Sequence, residues 1–310
     1  MKKITKLSNV LLAAGMAAGL FACQPFEEDS WQYNSLIRLE WVDANPETGH
    51  RPAEVDKLQM HFYPHDEDMK TVVGDIMASS QGFDVPTGTY DIMALQPSQF
   101  IKRDEQFKTA TFSLPTHLNS MLETVISVNP DSMYYTGKIM GEMIDSEIQN
   151  ETYIPMERIL KKLNFVVIIE ETDELLRPAV VDLSGMAFRK KLWDMSIAEL
   201  DEAVQIFSLT KHGRYLNDDI CMTAFRGYVY CLGTVGRNIL HLTVYDADNK
   251  KITLKYDVTP YLTEWSTFEE TVHIRINLVG DEQSFYIEGW DLGDTSDFIF
   301  DYQKNGEVYE

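Results

Sequence analysis

Two histidines beside an acidic run form one candidate metal-binding cluster in this chain. His61 and His65 flank Tyr63-Pro64, and the acidic residues 66–68 follow directly. Imidazole and carboxylate groups are common metal ligands. Pro64 would break any helix that placed both histidines on one face. The pattern therefore favours a strand end that enters a solvated acidic turn, and the sequence predicts no bound metal and no cofactor.

The sequence contains none of the compact motifs of catalysis or nucleotide binding. G-x-S-x-G, H-E-x-x-H, the P-loop and G-x-G-x-x-G are all missing. We therefore expect a protein that is not an enzyme. The net charge of −22 at pH 7 argues against a nucleic acid as partner, because both would be negative.

Two tryptophans are candidates for stacking against sugar rings. Trp193 and Trp290 lie in segments without regular alternation, whereas Trp41 alternates with residues expected in the core. An indole combines a large apolar face with one N–H donor, which suits contact with a partly apolar ligand. The same property suits burial, so core or interface packing is the alternative for both residues.

The first 22 residues have the composition of a targeting signal. Three lysines lie within the first six residues, and residues 10–22 form an apolar run that is too short to span a bilayer of about 30 Å. The run ends in Leu20-Phe21-Ala22-Cys23, which resembles the lipobox of bacterial lipoproteins. We expect cleavage of this signal peptide (1–22) and acylation of Cys23, which would hold the chain to a membrane.

An acidic cluster follows the predicted cleavage site. Glu27, Glu28 and Asp29 lie within the segment 23–30. Such a cluster directly after a lipidated cysteine resembles the surface-export signal of Bacteroidales lipoproteins. The resemblance implies an outer-membrane protein that faces the cell exterior. A solvated acidic linker is the alternative.

Two further cysteines, Cys221 and Cys231, lie ten residues apart. On one continuous strand they would be about 33 Å apart, at about 3.3 Å per residue, which is far beyond disulfide distance. A turn near Gly227 could bring them together. The sequence leaves open whether they pair or remain two buried thiols.

Apolar and polar residues alternate with a period of two along much of the chain, as in 37–41, 58–62, 90–94 and 271–278. This pattern is typical of half-buried strands. Residues 163–169 are nearly all apolar and predict a strand covered on both faces. Helical signals are limited to a capping-box pattern at 196–199 and a single turn that begins at Thr259-Pro260. The sequence therefore predicts a mainly β protein.

A polar stretch at 141–151 separates two sets of predicted strands. Their spacing predicts two tandem β-sandwich domains, at 31–140 and 152–278, with 141–151 as the linker. The last residues, 279–310, are acidic but contain apolar clusters at 285–287 and 298–300. We expect this tail to dock as one or more strands, because it is too apolar for a free coil.

One short motif indicates a more specific fold. The sequence Val85-Pro86-Thr87-Gly88-Thr89-Tyr90 resembles the P-x-G-x-Y corner of transthyretin-like sandwiches. We expect Pro86 to fix its own φ, Gly88 to adopt a positive φ, and Tyr90 to open the next strand with its side chain in the core.

The order of several motifs resembles the fimbrillin-like lipoproteins of Bacteroidales, and in particular an uncharacterised branch of them. Besides the corner, the motifs lie at 60–64, 130–135, 183–187, 256–259 and 289–290. The resemblance covers nearly the whole mature chain and implies two transthyretin-like or immunoglobulin-like β-sandwich domains. Within it, Asp131-Ser132-Met133 matches a short O-glycosylation motif of this lineage, with Ser132 as acceptor; an ordinary turn is the alternative.

The resemblance implies a surface lipoprotein that acts as a fimbrial accessory, anchor or adhesion component. Shaft-forming fimbrillins need a processing site, commonly a basic residue, that frees their first strand. Arg38 instead lies inside a predicted strand. We therefore expect an anchor, tip or stand-alone role, with fimbrial subunits or other surface proteins bound by strand pairing. A glycan- or nutrient-binding surface lipoprotein is the alternative.

Overall fold

The structure is a computed structural model that describes residues 33–103, 107–145, 147–171, 179–198, 200–217, 220–245, 251–262, 269–277 and 284–291. Three sets of residues discussed above lie outside these ranges: the predicted lipidation site Cys23, the acidic residues Glu27, Glu28 and Asp29, and the apolar cluster at 298–300. Within them, no helix is long and apolar enough to cross a membrane.

The described chain is almost entirely β, as predicted. The strands of its first half are β1 (Ser35–Glu40), β2 (Leu58–Pro64), β3 (Val72–Ile76), β4 (Ser80–Phe83), β5 (Gly88–Leu95), β6 (Ile101–Lys102), β7 (Thr111–Ser113), β8 (Thr116–Leu118), β9 (Thr124–Ile126), β10 (Tyr135–Ile144) and β11 (Asn150–Arg158). A 3-10 helix at Phe107–Thr109 interrupts them.

The strands of the second half are β12 (Lys161–Glu171), β13 (Ala179–Ala187), β14 (Arg189–Lys191), β15 (Glu202–Asn217), β16 (Ile220–Cys231), β17 (Ile239–Tyr245), β18 (Lys251–Asp257), β19 (Glu269–Asn277) and β20 (Ser284–Asp291). The single turn α1 (Thr259–Leu262) begins at the predicted Thr259-Pro260. The predicted helix after Ser196 is wrong: residues 195–198 are irregular, because the Asp194 carboxylate accepts a hydrogen bond from the Ser196 amide at 2.9 Å and closes a local turn.

The first sheet has seven strands in the order β3-β2-β5-β10-β11-β1-β4. It curls so that its end strands, β3 and β4, approach each other. Strand β1 lies inside the sheet, parallel to β11 and antiparallel to β4. Its residues alternate between buried and exposed, so Ile37 and Leu39 enter the core as the sequence predicts.

The second sheet has its main strands in the order β18-β17-β13-β15-β16-β12-β19-β20. Strand β12 lies between β16 and the parallel strand β19. Residues 163–169 of β12 are buried except for Asn164, which confirms the predicted strand covered on both faces. Of the predicted tail, Ser284–Asp291 forms β20 and pairs with β19 at the end of this sheet.

The two halves are joined by strand pairing as well as by the chain. The hairpin β8–β9 belongs to the first half, but β9 pairs with β15 of the second. A small sheet of order β14-β7-β6 also combines both halves. At this junction the Lys190 ammonium is buried and donates a hydrogen bond to the Ile159 carbonyl at 3.0 Å.

The predicted linker at 141–151 does not coincide with a change of sheet. It contains the end of β10 and the start of β11, and β11 still pairs with β1 and β10 in the first sheet. After β11 the chain passes through Ile159-Leu160 and enters the second sheet as β12. The polar composition of 141–151 therefore marks a solvated hairpin and not a domain linker.

Cys221 and Cys231 both lie on the continuous strand β16, where Cys221 pairs with Glu171 and Cys231 with Lys161. Ten residues of strand separate them by about 33 Å. Cys231 is a buried free thiol, and burial raises its pKa to about 12. The two cysteines therefore do not pair within this fold.

Candidate functional site

The predicted corner is built around the hydroxyl of Tyr90. This residue is fully buried, and its hydroxyl donates a hydrogen bond to the Pro86 carbonyl at 2.8 Å. Burial raises the pKa of Tyr90. A buried tyrosine that bonds back to the chain a few residues earlier is a tyrosine corner, which fixes the entry of a strand in sandwich folds.

The expectation for Gly88 was wrong. The described glycines with positive φ are Gly49, Gly141, Gly185, Gly233 and Gly236, and Gly88 is not among them. A β-carbon at Gly88 would lie 3.3 Å from Cε2 of Tyr90. Glycine is suited to this position because the tyrosine ring passes close to the backbone.

The predicted ligand-stacking residues Trp193 and Trp290 lie in different parts of the fold. Trp193 is half-buried against the first core, and the Lys108 ammonium lies 5.9 Å from its ring centroid. Trp290 lies in β20, opposite Val272 of β19. Ser132 is half-buried in a turn, 3.3 Å from the Asp131 carboxylate. A stacking role for the tryptophans and glycosylation of Ser132 stay predictions.

The two histidines considered as metal ligands have separate partners. His61 is 2% exposed, and its Nδ1 lies 3.1 Å from the guanidinium of Arg103. Burial and the Arg103 charge lower the pKa of His61 to about 4. His65 lies 2.9 Å from the carboxylate of Asp91. No cluster of three or more metal-ligating side chains occurs among the described residues.

The end strands of the second sheet are β18 and β20. Strand β18 alternates between exposed and half-buried residues, and Lys251 and Lys255 are on its exposed side. Lysines on an end strand discourage pairing with another chain. Strand β20 pairs with β19 through seven residue pairs, interrupted by a bulge between His273 and Ile274. No other described strand pairs with β20.

An exposed apolar tip lies at the turn of the β8–β9 hairpin and was missed in the sequence. Leu118, Met121 and Leu122 are 64%, 73% and 79% exposed. The Asn119 side chain accepts hydrogen bonds from the Met121 and Glu123 amides, both at 2.9 Å, and so fixes the turn. Leu122 has φ of +62°, which is unfavourable for leucine. A rigid turn therefore holds three apolar side chains in solvent.

Solved structures share this fold. No protein-family model and no curated protein matches the chain. A candidate adhesin from Bacteroides ovatus has a TM-score of 0.56 at 17% identity, over 81% of this chain and 93% of that one. A candidate adhesin from Bacteroides thetaiotaomicron has 0.53 at 13%, over 83% and 96%. Candidate polysaccharide-binding proteins from Bacteroides thetaiotaomicron have 0.52 at 11%, over 85% and 99%. At these identities the likeness shows a common fold.

Proposed function

We propose that this chain is a non-catalytic cell-surface lipoprotein that serves as a fimbrial accessory, anchor or adhesion component. The observation that carries the proposal is the end strand β20. It is the last strand in the order of the second sheet, and β19 is its one described neighbour. An end strand with a free edge can accept a partner strand through main-chain hydrogen bonds. The fold shared with candidate adhesins supports the same role.

The position of β1 favours an anchoring or tip role over a polymerising shaft subunit. This strand is paired on both sides, and Arg38 within it forms an ion pair with Glu151 of β11. Release of β1 by cleavage at Arg38 would expose Ile37 and Leu39, which are buried. The folded first sheet therefore protects the basic residue at which processing would be needed.

Two adjacent proline variants test whether the free edge of β20 binds partners. Successive residues of an antiparallel strand direct their N–H groups to opposite sides. One of Tyr286→Pro and Ile287→Pro therefore removes a bond to β19, and the other removes only a donor at the free edge. The variant that breaks a bond to β19 should lower the melting temperature. The other, the free-edge variant, should leave the melting temperature almost unchanged.

The assay is the fraction of the protein found in high-mass assemblies after surface material is sheared from the producing bacteria. The free-edge variant should lose most of that fraction while it keeps its melting temperature. Assembly by both variants at the wild-type level would refute strand pairing through β20. If assembly is lost only in the variant whose melting temperature also falls, β20 has a purely structural role.

We propose acylation of Cys23 as the membrane anchor and the cluster Glu27, Glu28 and Asp29 as an export signal to the outer surface. Cys23→Ala should abolish palmitate labelling, and it should either release the protein from the membrane fraction or leave its signal peptide uncleaved. Alanine at all three acids should leave labelling intact but lower cleavage by protease added to intact cells. A Cys23→Ala variant that still labels with palmitate and sediments with membranes would contradict the anchor, and unchanged protease access in the triple variant would contradict the export signal.

Glycan binding is a second candidate function. The fold likeness to candidate polysaccharide-binding proteins favours it, as does a groove on the second sheet that contains an exposed tyrosine. Both functions are compatible with a surface position, since adhesion by strand pairing and binding of a glycan use different parts of the molecule.

A further inference from the structure

A polar groove crosses the outer face of the second sheet over β16, β12 and β19. In the strand register Tyr228 pairs with Asn164, and Asn164 pairs with Thr271. In the neighbouring row Lys162 pairs with Glu269. The groove encloses about 760 Å³, which lies within the usual range for small-molecule sites. The strand pairing thus places five polar or aromatic side chains side by side on one face.

The polar wall of the groove is a hydrogen-bonded trio. The Glu269 carboxylate accepts hydrogen bonds from the Lys162 ammonium at 2.7 Å and from the Asn164 amide at 3.0 Å. Desolvation raises the pKa of Glu269, but these two hydrogen bonds and the charges of Lys162 and Arg158 together hold the pKa below its ordinary value. A carboxylate has about four acceptor sites, an ammonium has three donors, and an amide has both kinds. The trio therefore presents both donor and acceptor groups to the groove, which is the chemistry that binds hydroxyl groups.

The aromatic wall is Tyr228, which is 55% exposed. Its ring packs edge-to-face on Tyr230, with centroids 5.6 Å apart and planes at 71°. The Lys162 ammonium lies 5.2 Å from the Tyr228 centroid. These contacts restrain the ring, and Tyr228 nevertheless stays more than half exposed. A fixed, exposed ring beside hydroxyl-binding groups suits the flat C–H face of a sugar, since tyrosine has a large apolar face and a polar tip.

The charges that line the groove balance. Lys162 and Arg226 supply two positive charges, and Glu47 and Glu269 supply two negative ones. The chain as a whole has a net charge of −22, so polyanionic glycans would be repelled at long range. A neutral ligand with many hydroxyl groups meets no such penalty.

We propose that this groove binds a neutral oligosaccharide, with Tyr228 as the stacking platform and Asn164, Lys162 and Glu269 as partners for its hydroxyl groups. The site is distinct from the tryptophans predicted from the sequence. It also does not depend on strand pairing at β20, so either function can fail alone.

Isothermal titration calorimetry of the mature chain tests the site with four probes: hexasaccharides of β-1,4-linked glucose, xylose and mannose, and of α-1,4-linked glucose. At least one should bind with a Kd tighter than about 10 mM. Tyr228→Ala should weaken that binding by roughly tenfold or more. Tyr153→Ala is the matched control, because Tyr153 is an exposed tyrosine on β11 of the other sheet.

Melting temperatures separate binding from folding. Tyr228→Ala should melt close to the wild type, because more than half of the side chain is already in solvent. The proposal is overturned if no neutral hexasaccharide binds at about 10 mM, or if the Tyr228 and Tyr153 variants weaken binding equally. Tighter binding of hexagalacturonate than of all neutral probes would also overturn it, because the argument from charge would then be wrong.

Discussion

The buried histidine His61 should make the fold sensitive to mild acid. His61 lies in β2 with 2% of its surface exposed, and the guanidinium of Arg103 contacts its ring. A protonated imidazole would be both desolvated and next to a positive charge. For these two reasons the pKa of His61 is lowered to about 4.

The sign and size of the effect follow from proton linkage. In the unfolded chain the histidine pKa is about 6.5. Between pH 6.5 and 4 the unfolded chain binds a proton that the native state does not. The free energy of unfolding therefore decreases as the pH is lowered through this range. At pH 5 the loss attributable to His61 is about 2 kcal/mol. Above pH 6.5 both states carry neutral histidine and the effect disappears.

The test compares the wild type with His61→Gln, which retains an acceptor for Arg103 but does not titrate. Urea unfolding at pH 7 and pH 5, followed by tryptophan fluorescence, gives the two free energies for each protein. On going from pH 7 to pH 5, the wild type should lose about 2 kcal/mol more free energy of unfolding than His61→Gln. His50→Gln is the control, because His50 is exposed. An equal difference at both pH values would refute the assignment of the charge penalty to His61.

Three further predictions concern single contacts. Tyr90→Phe removes the hydrogen bond to Pro86 and should lower the free energy of unfolding by about 1 kcal/mol in urea titrations; no change would contradict the corner. Burial lowers the pKa of Lys190 to about 8. The free energy of unfolding of the wild type should therefore rise by about 1 kcal/mol between pH 7 and pH 9, and Lys190→Met should abolish that rise. Leu122→Asn should melt no lower than the wild type, because asparagine tolerates positive φ better, yet it should weaken surface assembly if the apolar tip contacts a partner.

Local periodicity was enough to predict most strands but not their partners. The alternation of Ile37, Leu39 and their neighbours follows directly from which face of a strand is buried, and this pattern is visible in a few residues of sequence. The parallel pairing of β1 with β11 joins Ser35 and Asn150, which are 115 residues apart in sequence (150 − 35). Nothing in either segment alone encodes that choice. The same limit explains why the polar hairpin at 141–151 was mistaken for a linker.

The candidate sites were harder to predict because they depend on which strands become neighbours. Tyr228, Asn164 and Glu269 meet only through the order β16-β12-β19. The alternation of Arg226, Tyr228 and Tyr230 along one face was the available signal. Trp193 attracted attention by residue type, although it packs against the first core. At the corner, Tyr90 was placed correctly, but the close approach of its ring, and not a positive φ, accounts for Gly88.

The central position of β12 in the second sheet has a consequence for folding during synthesis. Its neighbour β19 begins with Glu269, which pairs with Lys162 from 107 residues earlier. A chain that emerges from the ribosome at about 5–20 residues per second needs roughly 5–20 s to supply that strand. Throughout this delay the apolar run 163–169 has at least one unsatisfied edge, which exposes it to aggregation. The export that we propose would remove this hazard if the chain crossed the inner membrane in an extended state, because all partners of β12 would then become available together.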